Sequence, residues 1–300
     1  VLDRGEAVLL AVDRRAVARS GRTGPPSPLV IAVAEAVAGA RGIGSEAARV
    51  AADLVIDSGE LNAADGRKLG LGSSAAAAVA AVGCALGAAS GELDRQEVHR
   101  IAHAAHRALQ AMSGHPGSGA DVAASVWGGV IAVRADADPD WPPAVRPLAL
   151  PPALQLVVAW TGVVAPTAPL VAAVMQLRGH DPDRWAAWRE AIDLSARALV
   201  RACAEEDAAA AVAALATGAN AIAALGHAAG VPLETAQHRR LADLAGRRGG
   251  ACKPTGAGGG DLAVAAFTDA AAAEQFRGDV AGAGMACLAL RVASGVEICA

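Results

Sequence analysis

The sequence predicts an α+β fold in two domains. Three observations carry that reading. The chain is 54% hydrophobic but only 2% aromatic, so its apolar content is mostly alanine and valine, and alanine is the best helix former. Alanine-rich stretches with helical spacing alternate with short β-branched runs. A segment rich in proline and aspartate, 135–152, interrupts the pattern near the middle. A length of 300 residues fits one large domain or two ordinary ones, and the apolar fraction excludes disorder as a global description. The expected domains are 1–150 and 151–300.

The elements follow in order. Residues 1–17 read as two short strands broken at Asp3-Arg4-Gly5. Gly24-Pro25-Pro26-Ser27-Pro28 is a loop, and 29–40 has helical spacing with Ser27 or Pro28 near its start. Residues 49–57 read as a strand on Val50, Leu54 and Ile56, and 57–68 as a polar loop. A Gly- and Ser-rich stretch, 69–74, opens a strong helix over 75–89. A second helix, 93–112, has Val98, Ile101, Ala105 and Leu109 on one face. A second Gly-rich loop, 113–119, leads through 120–127 to a turn at Gly128-Gly129 and a strand over 130–134. Beyond the boundary come a strand over 154–161 and helices around 167–178, 182–204, 206–226 and 233–247. A third Gly-rich loop, 249–260, precedes a strand over 262–267, a helix near 270–281 and a closing strand over 285–292. Helices with a few strands able to share one sheet argue α+β for this half.

Composition excludes several function classes. Net charge is −4, with no basic run interleaved with aromatics, which disfavours nucleic acid as a partner. The five cysteines, Cys84, Cys203, Cys252, Cys287 and Cys299, are odd in number and far apart. They suggest neither a disulfide framework nor a zinc site, so a cytoplasmic setting is expected. Residues 1–12 carry Asp3, Arg4 and Glu6 and lack a signal-peptide layout. The uncharged run 69–90 is too rich in Ala and Gly to read as a membrane span.

Only two of the 26 basic residues are lysines, Lys68 and Lys253. Each flanks a Gly-rich loop, where a compact ammonium reaches phosphate oxygens as a point charge. Lys68-Leu69-Gly70-Leu71-Gly72-Ser73-Ser74-Ala75 opens a helix whose N-terminus offers free N–H groups to an anion. Ser73 or Ser74 is a plausible N-cap. The string formally fits a dinucleotide fingerprint, but it lacks the preceding apolar strand and the later strand-end acid. In Gly117-Ser118-Gly119-Ala120-Asp121-Val122, an acid stands among small apolar neighbours. It works, is paired, or caps a short helix over 122–126. In Lys253-Pro254-Thr255-Gly256-Ala257-Gly258-Gly259-Gly260-Asp261, four glycines in five positions suggest no packing purpose and suit a loop lying against a ligand.

These three stretches, in this order and spacing, resemble the GHMP kinase superfamily over nearly the whole chain. Gly70–Ala76 is similar to its ATP-phosphate loop and Thr255–Asp261 to its C-terminal glycine motif. Within the superfamily, 117–129 and Asp261 look most like the phosphomevalonate kinases. Val122 follows the loop aspartate where mevalonate kinases usually carry Asn. Gly5-Glu6-Ala7-Val8 and Ala11-Val12-Asp13-Arg14-Arg15 also resemble the early strands. The resemblance implies a domain like the second domain of a small-subunit ribosomal protein, followed by a ferredoxin-like domain.

It also implies ATP and Mg2+ as cofactors and a small-molecule partner, 5-phosphomevalonate, converted to the diphosphate. A membrane or nucleic-acid partner is not implied, and the assembly is a monomer or homodimer. The alternatives are a mevalonate or homoserine kinase, or a catalytically silent binding protein on the same fold. By the resemblance, Gly70, Leu71, Gly72, Ser73, Ser74 and Ala75 hold the nucleotide, and Ser74 also touches the metal. Asp121 matches the catalytic aspartate. Ser118, Gly119, Lys253, Thr255, Gly256, Gly258 and Gly259 approach the acceptor; Lys68 is added from the residues themselves as a phosphate contact. Family members usually begin with a Pro-Gly-Lys strand, which would precede Val1. The helix acid that often completes magnesium binding falls where this chain has Gln110. An acceptor polyanion needs cationic groups. Arg107, Arg134, His106 and His115 lie near the second loop, and none is singled out.

Overall fold

Serine and aspartate cap several of the helix starts, Ser27, Ser45, Asp94 and Asp181 among them. In the computed structural model, which describes residues 5–112, 117–135, 138, 140–165 and 167–298, the chain opens with strands β1 (Glu6–Leu10) and β2 (Val17–Ser20). Helices α1 (Pro28–Arg41) and α2 (Glu46–Ala52) follow, then β3 (Leu54–Asp57), α3 (Ser73–Ser90), α4 (Arg95–Ala111) and α5 (Ala120–Trp127). Next come β4 (Val130–Arg134), β5 (Ala144–Leu148), β6 (Gln155–Trp160), α6 (Thr167–His180), α7 (Pro182–Ala204), α8 (Ala208–Ala228) and α9 (Ala236–Arg247). The chain ends with β7 (Ala251–Pro254), β8 (Leu262–Phe267), α10 (Ala270–Gly282) and β9 (Ala286–Leu288). Ser27 caps α1 by accepting the Val30 N–H, with Pro28 in the first turn. Asp94 caps α4 through the N–H groups of Gln96 and Glu97.

Several elements differ from the sequence reading: β5 stands inside the proline- and aspartate-rich segment, and the closing strand expected over 285–292 covers only Ala286–Leu288. The strand expected over 49–57 begins only at Leu54, because Ser45 caps a helix at Ala48 whose Ala47, Ala48 and Ala51 are buried. The second early strand runs from Val17 to Ser20, where it pairs antiparallel with β3, Val17 opposite Asp57. The third Gly-rich loop contains β7, paired with β8 from Ala251 opposite Ala266 to Pro254 opposite Ala263.

The chain folds into two units. The first comprises residues 9–147 and 291–298, the second residues 5–8 and 148–290. In the first, Val33 and Val37 of α1, Val79 and Val82 of α3 and Ile101 of α4 share a core of small side chains. β4 is central in a sheet of order β1-β4-β5, and β2 pairs with β3 apart from it. The C-terminal stretch returns to this unit, where Gly129 donates to the Ala293 carbonyl at 2.8 Å. It then crosses α3, where a Cβ on Gly83 would lie 2.8 Å from Val296 and one on Gly87 would lie 2.9 Å from Ile298. Glycine at these two helix positions lets the Val296 and Ile298 side chains pack close to the α3 backbone.

In the second unit, a four-stranded sheet runs β7-β8-β6-β9. Its neighbours are antiparallel. The chain's two phenylalanines, Phe267 and Phe276, meet beneath it with ring centroids 5.2 Å apart. Asp193 of α7 is buried and accepts the Glu6 N–H at 2.6 Å. α3 and α8 are long and apolar enough to cross a membrane by length and composition. In α3 that apolarity is used in packing: Ala75, Val79, Val82 and Leu86 sit in the first core.

Candidate active site

The first Gly-rich stretch turns into α3 without a serine cap. Gly72 is the N-cap, in left-handed conformation at φ 72°, and as glycine it makes no side-chain cap hydrogen bond. This replaces the expected Ser73 or Ser74 cap. Ser73 and Ser74 stand inside the first turn, part-buried, and Ala75 turns its methyl into the core. The first-turn N–H groups have no intrahelical acceptor and receive none from the cap residue, which suits an anion. Leu71 is part-buried and Gly70 exposed. Lys68 is exposed, its backbone bridged to Asn62. β3 ends at Asp57, so no strand runs directly into the turn as a dinucleotide fold requires.

The second Gly-rich loop meets the first. A Cβ on Gly72 would lie 3.5 Å from the Cβ of Asp121. Asp121 is not the cap of α5. Gly119 is, at φ 73°, and Asp121 stands in the first turn, where the helix dipole favours a carboxylate. Its Oδ1 accepts the Val122 N–H at 3.0 Å. Ser118 is occupied locally, its hydroxyl accepting the Ala120 N–H at 3.4 Å.

Of the cationic candidates, Arg107 pairs with Asp140 at 3.0 Å and Arg134 is exposed. His115 lies outside the described residues. His106 is buried and reaches the first loop instead, with Nε2 3.0 Å from the Ser74 hydroxyl. Gln110 accepts the Gly117 N–H at 2.7 Å. Sequence reasoning weighed His106 only for an acceptor phosphate. The signal that could have placed it is its register with His99 and His103 on α4. Among the described residues, no three His, Cys, Asp or Glu side chains gather as metal ligands. Ser74 and Asp121 are the side chains at this mouth that could hold a magnesium ion together with phosphate oxygens.

The second unit holds the third loop. Lys253 lies on β7 and donates from Nζ to the Pro254 carbonyl at 2.7 Å. Burial pushes its ammonium down to about 8, against a raising contribution from Cys252. Thr255 Oγ1 donates to the Leu262 carbonyl at 3.1 Å. The glycines do serve packing, contrary to expectation. A Cβ on Gly258 would fall 2.2 Å from the Leu233 carbonyl oxygen. One on Gly259 would fall 2.3 Å from Leu170, and one on Gly260 2.6 Å from the Val163 carbonyl oxygen. Gly256 alone among these four has open space. Asp261 closes the loop, its Oδ1 accepting the Ala165 N–H at 3.1 Å.

A glycine turn opening an uncapped helix, with a serine and an aspartate at its mouth, belongs to a known architecture. Residues 29–129 match the family described as GHMP kinases N terminal domain, and this part of the chain belongs to it. A phosphomevalonate kinase of Streptomyces sp. (strain CL190) is 34% identical over 67% of this chain and 58% of its own length. This chain thus spans well under two thirds of that relative. A crystal structure of a Listeria innocua protein superposes with TM-score 0.81 at 24% identity, over 96% of this chain and 91% of that one. Streptococcus pneumoniae phosphomevalonate kinase, in complex with phosphomevalonate and AMPPNP, gives TM-score 0.73 at 19% identity, over 93% and 89%. At these identities the solved structures speak for the fold, which is that of the GHMP kinases with mixed helix and sheet.

Proposed function

We propose that the chain is an ATP-dependent kinase that phosphorylates 5-phosphomevalonate to 5-diphosphomevalonate. One observation carries the kinase reading: the first turn of α3 is left uncapped beneath Gly72, with Asp121 beside it. Four free N–H groups and a positive dipole end suit a triphosphate. The choice of acceptor rests on the Streptomyces relative.

Phosphoryl transfer is largely positioning and charge neutralisation. Gly70, Leu71 and Gly72 would wrap the phosphates with backbone, Ser73 and Ser74 would add hydroxyls, and the Ala75 N–H would complete the turn. Lys68 would supply a point charge. Magnesium, when bound through Ser74, neutralises charge on the transferring group. In the second unit, Gly258 and Gly259 hold the third loop's shape against Leu233 and Leu170. Ser118 and Gly119, beside Asp121 in the first unit, would serve the acceptor.

The nucleophile is an oxygen of the acceptor phosphate. It attacks the γ-phosphorus as the bond to the β-phosphate oxygen breaks and ADP leaves. A phosphate monoester has a second pKa of about 6, so it is already ionised at neutral pH. Asp121 then orients charge at the reaction centre, and accepting a proton is secondary.

The test is an acceptor panel with coupled ADP release. Turnover with phosphomevalonate, and little with mevalonate or homoserine, is expected. Transfer to mevalonate but not phosphomevalonate replaces the acceptor. Nucleotide binding without turnover on any acceptor replaces the enzyme by a binding protein.

A further inference from the structure

Positions 99, 103, 106 and 110 of α4 recur every three or four residues and so share one helix face. Three of them are imidazoles at 4%, 3% and 1% exposure, beside the apolar line of Val98, Ile101 and Ala105. Buried polar groups cost stability unless they hold something. His106 Nε2 meets the Ser74 hydroxyl at 3.0 Å. The His103 ring lies directly on Gly119, where an added Cβ would be 2.3 Å from Nδ1. Gln110 takes the Gly117 N–H at 2.7 Å. A single rigid helix therefore touches the phosphate loop through His106 and the Asp121 loop through His103 and Gln110.

We propose that α4 is the strut that sets these two loops in register, with His106 and Gln110 as positioning residues for Ser74 and for the approach to Asp121. The proposal rests on the kinase reading, since it takes the loops to hold nucleotide and acceptor. Its chemistry is simple. A serine hydroxyl has one hydrogen and two lone pairs. When Ser74 donates to Nε2, both lone pairs are left for a cation or an N–H donor. When Nε2–H donates, the serine hydrogen is left for a phosphate oxygen. In either tautomer the imidazole fixes where Oγ stands. The residue at the position of the usual helix acid, Gln110, serves the other loop.

The test uses the full chain with AMPPNP and Mg2+ titrated calorimetrically without acceptor, alongside steady-state kinetics. His106→Leu should weaken AMPPNP binding about tenfold, the worth of one lost hydrogen bond to a charged site. His106→Gln places an amide near the Nε2 position and should recover binding to within about threefold. Gln110→Leu should leave AMPPNP affinity within about twofold while lowering kcat about tenfold, with Gln110→Glu restoring it as an acceptor for the Gly117 N–H. If His106→Leu does not fold, His106→Asn replaces it, being polar but too short to reach Ser74. AMPPNP affinity unchanged in His106→Leu or His106→Asn overturns the strut and leaves the kinase reading standing. So does equal loss in His106→Gln. Absence of AMPPNP binding in the parent chain overturns both.

Discussion

Trp127 donates its indole N–H to Nδ1 of His99 across 3.1 Å, the rings edge-on at 83°. That bond fixes the tautomer: Nδ1 carries the lone pair and the ring proton sits on Nε2. Nε2 is itself buried without a hydrogen-bond partner among the described residues. A second proton would turn two N–H groups against each other. Burial, helped by His103 one turn on, pushes His99 down to about 4.

The pH dependence follows. The unfolded chain takes up this proton near the ordinary value of 6.5, the folded chain only near 4. Stability from this group is complete above 6.5 and is lost as pH falls from there to about 4, by up to about 3 kcal/mol. His99→Gln keeps an acceptor for Trp127 and removes the titration. Urea midpoints at pH 7 and pH 4.5 should differ clearly less in the variant. An identical acid loss in parent and variant assigns it elsewhere.

The third Gly-rich loop offers a comparison between neighbours. Gly258 has φ 71° and the Leu233 carbonyl where a Cβ would go, whereas Gly256 has φ 58° and open space. Gly258→Ala should destabilise by roughly 3 kcal/mol, because backbone must move. Gly256→Ala should cost about 1 kcal/mol, the left-handed penalty alone. Denaturant unfolding of both measures it. Equal costs would mean that the loop relaxes around Gly258.

Much of the fold was legible because local rules set it. Ser27-Pro28 announces α1, the apolar face of Val98, Ile101 and Ala105 announces α4, and the strand over 130–134 stands alone between glycines and a polar stretch. Residues 46–52 misled because Val50 continues into Leu54 and Ile56, and only the Ser45 cap and burial of three alanines separate helix from strand. The site was legible as loops and not as contacts. Gly258 and Gly259 need Leu233 and Leu170, which are distant in sequence. Ser74 and His106 stand 32 residues apart, and a histidine beside an apolar stripe looks exposed until its partner is known.

Lys253 carries a second titration, of opposite sense. Its folded value of about 8 lies below the ordinary 10.5, with burial as the main cause. Below pH 8 both states are protonated and the buried charge weakens the fold. As pH rises from 8 to 10.5 the folded chain sheds the proton first, so stability rises, by about 3 kcal/mol at most. Lys253→Met should be more stable than the parent at pH 7 and lose that rise. A less stable variant at pH 7 would show that the bond to the Pro254 carbonyl outweighs the cost of burial.

Asp121 tests what the aspartate does. Asparagine keeps its size and an oxygen for the Val122 N–H, and removes only charge and basicity. Were Asp121 a general base, Asn and Ala would both forfeit the proton transfer, a loss of about a hundredfold or more. With a phosphate acceptor already ionised, orientation is the larger contribution. Asp121→Asn should then lower kcat about tenfold and Asp121→Ala about a hundredfold, with nucleotide affinity little changed in both. Equal abolition in the two variants, with fold and ATP binding intact, would restore proton transfer as the primary role. It would also point to a hydroxyl acceptor, since only such a nucleophile must lose a proton to attack.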